Sequence, residues 1–116
     1  MPWSKVNWEE EARKAANYVL QGDEGGEQHG AMRWGPPETA AIFCRIDENP
    51  ESETRSKTCI TVLKELLANA AITPIAFGLS KNRQAWAVIV ESNALDLLDA
   101  IVKEAWEIAK KMQDED

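Results

Sequence analysis

Much of what usually marks a chemical function is scarce in these 116 residues. There is one histidine, His29, and there are two cysteines, Cys44 and Cys59. That pair sets neither a disulfide framework nor a metal-ligand spacing. Cys44 falls in an apolar, strand-like run and Cys59 near the start of a helix, so two reduced, packed thiols are expected. No stretch of about 18 apolar residues occurs, which excludes a helical membrane span. Residues 1–10 lack the apolar core of a signal peptide, and a cytoplasmic location is the expectation. Gly22, Gly25, Gly26 and Gly30 do not follow a strand, so they make no phosphate cradle. A basic stripe is missing too. The net charge is −7, with eight acidic against three basic residues over 23–56 and seven against three over 93–116. Direct nucleic-acid binding is not expected from such a balance. The pairs Asp23-Glu24 and Asp47-Glu48 are neighbours rather than opposed carboxylates, which does not suggest acid–base work. No catalytic set, metal or cofactor is expected, and the chain reads as a non-enzyme.

What the sequence has is a clear alternation of pattern. Between Thr73 and Glu91, Ile75, Phe77 and Leu79 alternate with smaller residues. Trp86, Val88 and Val90 do the same after the polar run 80–84. Side chains of a strand alternate between faces. Two such runs joined by five polar residues predict an antiparallel hairpin whose large apolar groups share one face. Asn7 is a candidate N-cap, with Glu10 completing a capping box. Trp8, Ala12, Ala15, Ala16 and Val19 then recur at helical spacing, predicting a first helix over 8–21. Ile60, Leu63, Leu66, Leu67 and Ala70 predict a second helix, which Pro74 ends before Thr73. Residues 47–53 are either an acidic loop or the opening of that helix, with Asn49 as cap and Pro50 at its first position. A third helix is expected from Asn93, carrying Leu95, Leu98, Val102, Ala105, Ala109 and Met112.

Residues 22–37 hold five of the six glycines and two of the five prolines, which predicts a flexible loop. Residues 31–34 within it are an optional short strand before the firm strand at 40–46. The order is α-(β)-β-α-β-β-α in one domain spanning 1–116, with an acidic tail over 113–116. An apolar fraction of 44% is enough for a chain of this length to bury its own core. The fold class expected is α+β, a two-layer sandwich of antiparallel sheet with helices packed on one face. The second face, with Ala41, Phe43, Ala76, Gly78, Ala87 and Ile89, would then stay partly bare. The first helix, apolar mainly through alanine, would cover little of it. Bare apolar surface of this kind, with the wide stripe of the last helix, predicts a two-fold homodimer.

Over about residues 40–112 the order β-α-β-β-α resembles the ferredoxin-like fold of ACT-type regulatory domains. The nearest local likeness runs from Val62 to Ile75, a helix ending in small residues before a strand. Ala85 to Val90 and Asn93 to Leu98 are similar to the strand and helix that follow. The resemblance implies a regulatory module that binds small ligands between paired domains. Where that family carries a glycine-bearing ligand loop, this chain has Asp47 to Arg55, acidic and without glycine.

Five of eight aromatics are tryptophan. Trp86 and Trp106 sit in apolar registers and are expected in the core. Trp3, Trp8 and Trp34 lie near a terminus or loop, where indoles favour interfaces. Lys81 and Arg83, at the hairpin tip, form the one locally basic spot, against the plain reading of a solvated turn. His29 between glycines reads first as a solvated loop residue. With Cys44 or Cys59 it would make a dyad only if the fold brought them together. Trp8, His29, Trp34, Lys81 and Arg83 are therefore the candidate ligand or partner contacts. Function stays open between a small-ligand-binding or regulatory module and an acidic, inhibitor-type protein that docks on a basic partner.

Overall fold

A computed structural model of the chain describes residues 6–21, 28–35, 38–46 and 50–114. Residues 1–5 with Trp3, residues 22–27 and 36–37 of the loop expected over 22–37, residues 47–49 and the end of the acidic tail at 115–116 lie outside them. The first helix, α1, spans Trp8–Gln21, the range its apolar spacing predicts. The Oδ1 of Asn7 accepts the backbone N–H of Glu10 at 3.1 Å, satisfying one of the donors that a helix start leaves open. Two strands follow, β1 (His29–Arg33) and β2 (Thr39–Arg45), and then α2 (Pro50–Asn69). Helix α2 begins with proline at its first position, so residues 50–53 of the acidic segment are the opening turn of the helix; Asp47, Glu48 and the candidate cap Asn49 lie outside the described residues. The predicted hairpin is β3 (Pro74–Leu79) and β4 (Ala85–Glu91), and α3 spans Leu95–Asp114. The α3 start lies two residues beyond Asn93. Ser92 Oγ accepts from Ala94 N at 3.2 Å just ahead of it.

The four strands form one antiparallel sheet in the order β1-β2-β4-β3. Strand β4 separates β2 from β3, so β2-α2-β3 is a β-α-β unit split by a third strand. The α+β class and the element order are as the patterns predict, and the arrangement is compatible with a ferredoxin-like architecture. Helices α2 and α3 pack together on one face over Ile42, Cys44, Trp86, Val88 and Val90. Both cysteines are buried, and they form no disulfide.

Three findings depart from the expectation. His29 is the first residue of β1, paired with Cys44 across the ladder, and is not a loop residue. A bulge between Pro74 and Ala76 removes Ile75 from the face of Phe77 and Leu79 and sets it against the opposite cluster. Period-two alternation carries no sign of such an extra residue. The second sheet face, finally, is not bare. Ala12, Ala15 and Ala16 of α1 are fully buried against Ala41, Ala85, Ala87 and Ile89. Their small size is what lets the helix lie close to the sheet. At Gly78 an added Cβ would fall 2.5 Å from the backbone N of Arg13. Polar ties hold α1 at three further points. Trp34 Nε1 donates to Glu11 Oε1 (3.2 Å), Arg45 Nη2 to the carbonyl of Val19 (2.8 Å), and Lys81 N to Asn17 Oδ1 (2.9 Å).

Candidate functional site

On the face covered by α2 and α3, the N-terminal half of α2 and the β3–β4 hairpin part to leave a cleft of about 590 Å³. That volume lies within the range of small-molecule sites. Glu53, Ser56, Lys57 and Ile60 line it from α2, at the spacing that puts four residues on one side of a helix. Phe77 and Leu79 come from β3 and Trp86 from β4. Asn82, Arg83 and Gln84 come from the hairpin turn, and Ile46 from the end of β2. The turn is held by its own hydrogen bonds. Ser80 Oγ accepts from the backbone N–H of Gln84 (3.0 Å) and of Ala85 (3.1 Å), and Arg83 N donates to the carbonyl of Ser80 (2.9 Å). Arg83 itself sits at a φ of 62°, in the left-handed region that a tight turn requires. Ile46 N donates to the Gln84 carbonyl at 2.8 Å, which fixes the turn against β2.

Two residues of the lining each carry a polar atom that is buried without a hydrogen-bond partner, Ser56 Oγ and Trp86 Nε1. Ser56 is 2% exposed and Trp86 fully buried. A buried donor left unmade costs about 1–3 kcal/mol, so two in neighbouring wall residues are unusual. Lys57 and Arg83 are exposed residues at the rim, and neither forms an ion pair among the described residues. Among the described residues of the lining, Glu53 is the one carboxylate, and there is no imidazole or thiol. A groove of about 700 Å³ beside the start of α3, lined by Arg33, Asn93, Ala94, Leu95, Asp96 and Leu97, has no such orphaned buried atom.

Of the five candidate contacts Trp8, His29, Trp34, Lys81 and Arg83, only Arg83 lines the cleft. Lys81 is on the other side of the hairpin tip, bonded to Asn17 of α1 and lining a shallow groove with Leu20 and Gln21. Trp34 is tied to Glu11 and packs edge-on against Tyr18, ring centroids 6.0 Å apart. Trp8 packs under α1 with the alanine cluster. His29 does face a cysteine, since Cys44 is its ladder partner. The Cys44 thiol is buried, 3.5 Å from the carbonyl of Arg45. The His29 ring rests 5.9 Å from that of Trp106, and its Nδ1 is buried without a partner. Arg55 stacks on Trp106 as well, 5.4 Å from its centroid, and its Nε donates to Gln113 Oε1 at 2.7 Å. No group of three or more His, Cys, Asp or Glu suited to a metal occurs among the described residues. No helix among them is long and apolar enough to cross a membrane.

Sequence reasoning missed Ser56, Lys57 and the polar role of Trp86. The signal for the first was present. Residues 56, 60, 63 and 67 share the buried side of α2, and Ser56 is a hydroxyl in that apolar register. No protein-family model matches this chain, and no curated protein or solved structure matches it.

Proposed function

We propose that this chain is a non-enzymatic module that binds a small molecule in the cleft between α2 and the β3–β4 hairpin. The role would be regulatory, in the manner of the ACT-type domains its sequence resembles. The observation that carries the reading is the cleft itself, of ligand size, with an apolar wall and the exposed cations Lys57 and Arg83 at its rim. Ser56 Oγ and Trp86 Nε1, in residues of its wall, are buried without partners, which is conspicuous in a native interior. Trp86 also makes the site observable. Titration with small hydrophobic compounds, nucleotides and amino acids should change the indole fluorescence for at least one class and raise the melting temperature. Ligand at a hundred times its Kd adds about 2.7 kcal/mol to stability. A folded sample that responds to no class would remove the reading.

The module is further proposed to act as a two-fold homodimer. With the second sheet face covered by α1, the support for pairing comes from α3, where Leu97 and Met112 stand about half exposed, at 47% and 50%. Sedimentation equilibrium at micromolar concentration should give twice the chain mass of 13.0 kDa. The single-chain mass would reject pairing and leave the cleft proposal untouched. Docking of the chain as an acidic inhibitor on a basic protein has only the net charge of −7 behind it.

A further inference from the structure

Strand β3 is an outer strand of the sheet, and the residues that face its open edge follow from the ladder. Ser80 N donates to the Ala85 carbonyl at 2.9 Å, which makes these two a hydrogen-bonded pair. Bonded and unbonded pairs alternate in an antiparallel ladder. Gly78 opposite Ala87 is then the next bonded pair, while Leu79 opposite Trp86 and Phe77 opposite Val88 are unbonded. The N–H and C=O of Phe77 and Leu79 therefore point away from β4, and no partner meets them among the described residues. Native edges are blunted by charge, proline or a bulge. Here Pro74 and the bulge after it guard only the start of the strand, and β3 has no charged side chain. Phe77 is 40% exposed.

Beside this edge lies a pocket of about 140 Å³ between Leu63, Lys64 and Leu67 of α2 and the first half of β3, close to a size that holds one benzene ring. Ile60 and Phe77 line both this pocket and the cleft, so one groove follows β3 along α2. Lys64 is the one charged residue of the pocket lining among the described residues. It is exposed and forms no ion pair among them. The residues three and four away on the helix, Ile60, Thr61, Leu67 and Ala68, include no acid. Glu51, in the acidic opening of α2, is about 20 Å along the helix at about 1.5 Å per residue, beyond the reach of a screened charge.

We propose that β3 takes an extended segment of another protein as a fifth strand. One apolar side chain of that segment enters the pocket beside Leu67, and an acidic residue two positions on, on the same face, meets Lys64. Backbone groups at strand spacing are matched by an extended chain, whose alternate side chains then supply the specificity. Charge favours a foreign segment over a second copy. Pairing β3 with β3 about a two-fold at Gly78 would set Lys57 of each α2 toward Lys64 of the other, and like charges oppose such a contact. The proposal does not rest on the cleft taking a small molecule.

The test titrates the full-length, nitrogen-labelled chain with the capped pentapeptide acetyl-Thr-Leu-Thr-Glu-Thr-amide and its forms with isoleucine or valine for leucine. At least one should shift the backbone amide cross-peaks of Phe77 and Leu79 and slow their hydrogen exchange, because both become donors to the added strand. Methylating the peptide nitrogens at alternate positions should abolish binding in one set and spare it in the other, since a strand held by one edge uses every second residue. Glutamine for the glutamate should weaken binding about two- to fivefold, the size of an exposed ion pair. Lys64→Gln, at an exposed position, should remove that difference. If no peptide moves the two amides, or both methylated sets bind alike, the added strand is overturned. If the two amides are protected without peptide, and more so as protein concentration rises, a second copy holds the edge and the foreign segment is overturned. A glutamine form that binds as tightly as the acid overturns the pairing with Lys64.

Discussion

Replacing Gly78 with valine is expected to lower the stability of the domain by about 1–3 kcal/mol, the cost of overpacking a tight interior. Gly78 lies on β3 under α1. A Cβ placed there would stand 2.5 Å from the backbone N of Arg13 and 2.8 Å from the backbone C of Ala12. Neither atom belongs to a side chain that can swing aside, so the helix itself must lift. Lifting it exposes Ala12, Ala15 and Ala16, which are fully buried, and strains the tie from Lys81 N to Asn17 Oδ1. Alanine at the same position already carries the clashing atom and should cost a large part of the same loss. Urea unfolding gives the measurement, with a lower midpoint and an unchanged slope. A Gly78→Val protein as stable as the parent would mean that α1 does not lie against this face.

The largest single loss is expected at Trp86. Its side chain is fully buried and is the largest among the fully buried ones. It is packed against Phe77 within the cluster shared by α2, α3 and the sheet. Trp86→Ala removes that volume from a close-packed interior and should cost about 3–5 kcal/mol. Small domains have a total of about 5–15 kcal/mol, so the variant should melt far earlier by circular dichroism, or fail to fold. Trp86→Phe is the informative companion. It keeps a ring in the core, so its cost should be much smaller, and it deletes the N–H that has no partner. Its cost, read against that of the alanine variant, separates the packing role of the ring from the penalty of its unpaired N–H. If the alanine variant melts with the parent, the core assignment of Trp86 is wrong.

The two faces of the fold differ in how well they could be read from residues alone. The face under α2 and α3 is built from large side chains at regular spacing, Leu63 and Leu67 against Trp86 and Val88. Large apolar groups announce their burial, and the helices and hairpin were legible for that reason. The face under α1 is built from alanine and glycine. Small residues are nearly neutral as pattern, and their meaning lies in the partner that they allow to approach. Ala12 and Gly78 explain each other only once both are in place. The same holds within the cleft. Ser56 was readable as a hydroxyl in a buried register, whereas the orphaned Nε1 of Trp86 depends on what surrounds the ring. His29 was misplaced because its neighbouring glycines read as loop. In the structure Gly30 is a buried ladder residue opposite Phe43.

The alanine seam of α1 has a consequence for the entropy of folding. Alanine has no rotamers to lose on burial, whereas a leucine gives up about 0.5–1 kcal/mol and a methionine or lysine more. Docking Ala12, Ala15 and Ala16 therefore orders backbone and almost nothing else. Each also removes little apolar area from water, so burial stabilises it only slightly. On the opposite face Leu63, Leu67 and Trp86 gain more from leaving water and give up more side-chain freedom in doing so. The sheet is thus clamped between two interfaces of different kind: one with large gains set against large losses of freedom, the other with both kept small. Adhesion of α1 depends on closeness of fit, and a single added carbon disturbs it more than the modest area it buries would suggest.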